Sequence, residues 1–213
     1  MRDELTEAFA LLRVSDDCVV VVLHGEGRAF CAGADLTEFD ARTPLAKARE
    51  VRHLRDPFRL LRELPQVTIT ALHGYAIGSG MELALECDLR LAAASTRFRL
   101  PETHLGFIPA AGATQTLTRT VGRGAALDLL LRGETVHAAQ ALQMGLVSQV
   151  VPDDEIMLFA RSLGEEIAQR PAAIVAKRAL RASGEHGFAA GLELEAALGD
   201  GLLVTPLLPG HVL

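Results

Sequence analysis

Apolar positions occur in two kinds of run along this chain. Residues 18–23 (CVVVVL) are apolar on both faces and rich in β-branched side chains. That pattern predicts a buried strand, most easily a parallel one. Residues 66–72 (QVTITAL) predict a second strand, 89–94 a third, 96–100 a fourth and 146–151 a short one between helices. Helical spacing begins at 4–13, with Leu5, Phe9 and Leu12 on one stripe, and returns over 44–64, ending before Pro65. The stretch 74–80 (GYAIGSG) is tight-turn material, and a short helix opens over 81–87. Beyond a Pro/Gly loop at 101–113 the pattern predicts helices over 114–121, 123–132, 137–144, 153–169 and 171–183, with Pro171 suited to a first helical position. After Leu198 the chain reads GDGLLVTPLLPGHVL, whose prolines and repeated leucines oppose a continued polar-faced helix. No internal repeat, low-complexity stretch or linker appears. The order predicts an α/β core over 1–152 and a helical C-terminal region over 153–213.

Composition narrows the function classes. Of 213 residues, 49% are hydrophobic and 23% charged, which supports a sizeable core and excludes wholesale disorder. Lys and Arg number 21 against 27 Asp and Glu, a net charge of -6 with no basic run. This argues against nucleic acid as a partner. The absence of tryptophan and the single tyrosine argue against an aromatic stacking platform as well. Cys18, Cys31 and Cys87 are widely spaced and form no C-x-x-C, which fits a reducing compartment and offers no thiolate zinc site. The longest strongly apolar run, 18–23, is too short to span a bilayer, and the first residues lack the apolar stretch of a signal peptide. A soluble, cytoplasmic protein without a membrane partner is expected.

Three familiar motifs fail on inspection. Gly25-Glu26-Gly27-Arg28-Ala29-Phe30 has Phe30 where a dinucleotide fingerprint needs its third glycine. Gly78-Ser79-Gly80 is flanked by Ile77 and Met81 where a nucleophile elbow needs glycines. No P-loop is present. The histidines (24, 53, 73, 104, 137, 186 and 211) are scattered, and none pairs with a second ligand at metal spacing. Lys177, Arg178 and Arg181 form a basic helix face expected to be solvated.

Two glycine-bearing turns are more informative: Cys31-Ala32-Gly33-Ala34-Asp35-Leu36 and Ile77-Gly78-Ser79-Gly80-Met81-Glu82. Each follows a buried strand and leads toward a helix, so unpaired backbone N–H groups can face a ligand oxygen. Two such loops from neighbouring strands can supply two donors to one developing oxyanion, although plain strand-to-helix turns have the same composition. Glu82 sits in an apolar helix and Glu102 among Leu100, Leu105, Phe107 and Ile108. A carboxylate in apolar company is costly unless it is paired or functional. Helix N-terminal electrostatics also explains Glu82, and capping or a surface position also explains Glu102.

Taken together, AFCAGADL (29–36), GYAIGSGMELALECDLRLAAA (74–94), LPETHLGFIPAAGATQTLTRTVG (100–122) and GLVSQVVP (145–152) resemble the crotonase superfamily of enoyl-CoA hydratases and isomerases. The resemblance is continuous over about residues 18–184. It implies a crotonase-like (ClpP/crotonase) spiral of ββα units with a helical C-terminal region, assembled as a homo-trimer or homo-hexamer. It also implies an acyl-CoA ligand, with coenzyme A as part of the substrate and no separate cofactor or metal. By the same resemblance, the Ala34 and Ser79 N–H groups form the oxyanion hole, Ser79 standing where the family has glycine. Backbone around Ala32 and Ala34 holds the adenine end, and Asp35, Leu36 and Thr37 line the substrate channel.

Hydratases of this family carry two catalytic glutamates, matched here by Glu82 and Glu102, whereas isomerases commonly keep only the second. The implied activity is hydration of a trans-2-enoyl-CoA. The alternatives are Δ3-Δ2 enoyl-CoA isomerisation and a non-catalytic CoA-binding or oligomer-partner role. The latter arises because the family pattern is shortened at both ends, which predicts uncovered sheet edges.

Overall fold

The computed structural model describes residues 1–35, 55–170, 172–204 and 211–212. Helix α1 (Arg2–Arg13) leads into strand β1 (Cys18–His24). Helix α2 (Pro57–Glu63) follows, with Pro57 in its first turn and the Asp56 carboxylate capping the Arg59 N–H. Then come β2 (Val67–Leu72), β3 (Tyr75–Ile77), α3 (Ser79–Leu85), β4 (Leu89–Ala93) and β5 (Arg97–Arg99). A 3-10 helix (Glu102–Leu105) precedes α4 (Ala113–Arg132), β6 (Val136–His137), α5 (Ala138–Gln143) and β7 (Gln149–Val151). The chain continues through α6 (Ile156–Ala168), α7 (Ala172–Ala182), α8 (Phe188–Val204) and β8 (His211–Val212).

The strands form two sheets. A five-stranded parallel sheet has the order β7-β4-β2-β1-β8, and a three-stranded sheet has the order β3-β5-β6. Every residue of β2 is buried. Val67, Ile69 and Ala71 face a core shared with Leu91 and with Ile156 and Ala160 of α6, while Leu72 joins the larger core with Leu61, Leu64, Met81 and Phe98. Thr70 is fully buried on this strand because its hydroxyl donates to the Leu89 carbonyl.

A structural repeat underlies this arrangement although the sequence carries none. Three times the chain makes a strand in the large sheet, then enters the second layer, then turns. The second-layer row runs Cys31, Ala76, Phe98: Cys31 bridges Ala76, which lies opposite Phe98 in β5. Beyond that row come Gly33 and Ala34, then Gly78 and Ser79, then Leu100 to Glu102. Successive units therefore deliver the two glycine turns and Glu102 to the same level of the stack.

The expected strands and most helices are present, with instructive differences. Within 74–80, read as turn, Tyr75–Ile77 is a strand, because its three residues pair with the distant segment Arg97–Arg99. Helix α3 begins at Ser79 rather than 81. Within the 101–113 loop, Glu102–Leu105 forms one 3-10 turn. The helices expected over 114–121 and 123–132 form one element broken at Gly122, whose backbone leaves the helical region. Helix α8 runs on through Gly199 and Gly201 to Val204, ahead of Pro206. Strand β1 pairs with β8, which makes β8 the outer strand on that side of the sheet. Of the helix expected over 44–64, Pro57–Glu63 is helical, and 44–54 lie outside the described residues.

The basic face of α7 is not simply solvated. Lys177 is buried and donates to the Gln66 carbonyl, and its ammonium lies 2.6 Å from Asp88 Oδ2. The same Asp88 oxygen accepts from the Thr68 amide at 2.7 Å and the Thr68 hydroxyl at 2.9 Å. Burial lowers the Lys177 pKa, opposed by Asp88. Replacing Lys177 with Met would leave Asp88 uncompensated where α7 meets the sheet. We expect a loss of about 2 kcal/mol in urea unfolding, below the range for a fully buried pair because Asp88 retains some solvent. An unchanged midpoint and slope would refute this.

Candidate active site

Residues from the three repeating units line one cavity of about 760 Å³. Ala32, Gly33 and Ala34 come from the loop after β1, Ile77, Gly78, Ser79 and Glu82 from the β3–α3 turn, and Pro101 and Glu102 from the turn after β5. The structure thus brings together Ala32, Ala34, Ser79, Glu82 and Glu102. Asp35 is exposed and is not part of this lining, while Leu36 and Thr37 lie outside the described residues.

Close backbone approach fixes the two glycine turns against each other. Cys31 N donates to the Tyr75 carbonyl, and Ile77 N donates to the Cys31 carbonyl, both at 3.0 Å. Gly33 has φ +100°, and a Cβ there would stand 2.8 Å from the Ile77 carbonyl oxygen and 3.9 Å from the Ser79 nitrogen. A side chain at Gly80 would meet the Cys31 carbonyl oxygen at 2.5 Å. Only glycines permit this contact, which lays the 33–34 segment alongside the N-terminus of α3. Ser79 is the first residue of that helix, so its N–H has no intrahelical acceptor. Serine fits there without strain: among the described residues only glycines have positive φ, and it is Gly78, at φ +53°, that makes the sharp turn.

Both glutamates are buried, Glu82 at 4% exposure and Glu102 at 5%. That excludes the surface position considered for Glu102. Glu82 Oε1 accepts from the Ala111 amide at 2.8 Å and the Ala113 amide at 3.2 Å, so the start of α4 orients it. Glu102 is placed by its 3-10 turn, which the Thr103 hydroxyl anchors through a 2.7 Å bond to the Leu130 carbonyl. Glu102 Oε2 is buried with no hydrogen-bond partner among the described residues, and a Cβ on Gly78 would lie 3.0 Å from Glu102 Oε1. Burial pushes the Glu102 carboxyl above the ordinary carboxylate range, and the charge of Glu82 adds to the effect. Two carboxyl groups, one oriented by amides and one biased toward its acid form, thus share a cavity with a pair of glycine turns.

Sequence reasoning missed the supporting residues. Arg62 lines the cavity and forks onto the buried carboxylate of Glu86, at 2.6 and 2.7 Å. Glu86 was findable as a second acid four residues after Glu82 in an apolar helix, but Arg62 carried no signal. The apolar part of the lining includes Phe58, Leu105, Phe107 and Ile108. Among the described residues no cluster of three or more His, Cys, Asp or Glu side chains is arranged to hold a metal ion, and no helix is long and apolar enough to cross a membrane.

Comparison with known proteins identifies the family. The family model described as enoyl-CoA hydratase/isomerase matches residues 1–202. The 2,3-dehydroadipyl-CoA hydratase of Escherichia coli is 42% identical over 181 residues, covering 84% of this chain and 70% of that protein. The crystal structure of an enoyl-CoA hydratase from Bacillus anthracis superposes with a TM-score of 0.90 at 36% identity, covering 96% of this chain and 80% of that one. A Thermobifida fusca chain solved in complex with acetoacetyl-CoA gives a TM-score of 0.87 at 31% identity, over 95% of this chain and 84% of the other. With three chain-ordered motifs converging on one cavity, a crotonase-type fold and a family match along most of its length, the chain belongs to the enoyl-CoA hydratase/isomerase family of enzymes.

Proposed function

We propose that this protein is an enoyl-CoA hydratase, adding water in a syn sense across the trans-2 double bond of an enoyl-CoA thioester. The observation that carries this reading is the pair of buried glutamates in the cavity formed by the two glycine turns. The substrate carbonyl sits between the Ala34 and Ser79 N–H groups, which polarise it and stabilise the enolate-like transition state. A single donor of this kind contributes about 2.7–4 kcal/mol in mutational tests. Glu82, oriented by the 111 and 113 amides, takes a proton from the water whose oxygen bonds to C3. Glu102, biased toward its acid form by burial, gives its proton to C2. The pair carries one proton before and after, so water is added without net proton uptake. The adenine end lies along the backbone at Ala32 and Ala34. The acyl group meets the apolar lining around Phe58 and Phe107.

Hydration of crotonyl-CoA by the purified chain, followed by loss of the conjugated enoyl absorbance, tests this reading. Turnover to the 3-hydroxyacyl product is expected. Double-bond migration without water uptake would replace it with the isomerase reading, and CoA binding without turnover would replace it with a non-catalytic role.

The pH profile follows from the shared proton. Activity is expected to form a bell, because the productive pair is singly protonated. The acid limb marks addition of a second proton. The alkaline limb marks loss of the shared proton and lies above the ordinary carboxylate range, since burial raises Glu102. A kcat profile that falls already within the ordinary carboxylate range as pH rises would contradict the assignment.

A further inference from the structure

The Arg62–Glu86 ion pair plays no part in the chemistry above, yet it lies against the turn that holds Glu82. Glu86 caps the C-terminus of α3, four residues after Glu82, so the two carboxylates leave the same side of this short helix. The Glu86 side chain is 1% exposed and is held by Arg62 through Nε to Oε2 at 2.6 Å and Nη2 to Oε1 at 2.7 Å. Such a two-pronged, charge-assisted contact is directional as well as strong. The pair's other neighbour is Gly112. A Cβ there would stand 2.9 Å from Glu86 Oε1 and 3.2 Å from Arg62 Nη2. Gly112 separates the two residues whose amides donate to Glu82 Oε1.

We propose that the Arg62–Glu86 pair is a positioning device for Glu82: it is the floor on which the 111–113 turn sits, and so it sets the direction of the water-activating carboxylate. This rests on the hydratase reading. The charged groups acting on the pair are Asp56 and Glu63 of the α2 segment and Arg181 of α7. Glu86→Gln puts an amide N–H₂ against one prong of the guanidinium. The fork must then rotate, and the surface it presents beside Gly112 changes.

Two reactions separate positioning of Glu82 from general damage. Hydration of crotonyl-CoA uses both glutamates. Exchange of an α-proton of butyryl-CoA for deuterium in D₂O breaks and remakes only a C2–H bond. The Glu102 carboxylate takes the proton, the thioester oxygen holds the charge in the oxyanion hole, and Glu102 returns a deuteron after exchange with solvent. No water adds at C3. For Glu86→Gln we expect hydration kcat to fall about 10–100-fold, the cost of a small misplacement of a catalytic group, while α-proton exchange stays within about threefold and KM within about twofold of the parent. Arg62→Lys keeps the charge but not the fork, and is expected to show the same selective loss at smaller size. It carries the test if Glu86→Gln does not fold. Equal loss of both reactions, or undiminished hydration, would overturn the proposal. Absence of hydration in the parent chain would instead overturn the reading on which it rests.

Discussion

Glu102→Gln is expected to lower the kcat for crotonyl-CoA hydration by about 10²–10⁴-fold, the usual contribution of a general acid, with little change in KM. The amide keeps the shape of the carboxyl and removes the proton that C2 receives. The same substitution is not expected to destabilise the fold. Burial raises the Glu102 pKa in the folded state, so between the ordinary value and the raised one the folded chain binds a proton that the unfolded chain releases. Stability therefore declines as pH rises through that window. Above it, the folded state retains a desolvated anion, and glutamine removes that cost. Thermal unfolding at neutral pH should give a midpoint equal to or above the parent's, so the activity loss cannot be assigned to unfolding. Full activity in this variant, or a large fall in its midpoint, would refute the role.

Gly33→Ala should do comparable damage by a different route. The new methyl group would stand 2.8 Å from the Ile77 carbonyl oxygen, and φ +100° is unfavourable for any L side chain. The obstacle is backbone of β3, which is held in the second sheet and cannot swing aside as a flexible side chain would. The first loop must move, and Ala34 N–H moves with it. Loss of one oxyanion donor lowers kcat by about 10²–10³-fold. Measuring kcat alongside acetoacetyl-CoA binding checks this, because an enolate-like ligand depends on the same donors. Gly27→Ala is the control. Its φ is +86° but a Cβ there meets nothing within 4 Å. It should cost about 1–2 kcal/mol of stability for the left-handed backbone and leave turnover unchanged. Equal activities for the Gly33 and Gly27 variants would show that the close approach at Gly33 is not used in catalysis.

How far the site was legible can be judged residue by residue. Strands β1 and β2 were readable because their apolar, β-branched runs have few other stable uses. The two turns were readable because close backbone approach at Gly33 and Gly80 and a positive φ at Gly78 leave glycine as the practical choice. Resemblance to a known family singled out Glu82 and Glu102 from the other acids. The chain by itself therefore determined four of the five large-sheet strands and the two turns.

Tertiary structure alone decided the rest. Tyr75–Ile77 is too short to declare itself, and it exists as a strand because it pairs with Arg97–Arg99. A charged side chain's environment is set by whatever packs over it, often from far along the chain. Lys177, read as solvated, is buried because Asp88 and the Gln66 carbonyl receive it. Glu86 is held by Arg62 across 24 positions. Glu82 owes its orientation to amides 29 and 31 residues away. Local pattern carries hydrophobic period and turn chemistry, but the pairing and desolvation of charges depend on contacts that form only when the units stack.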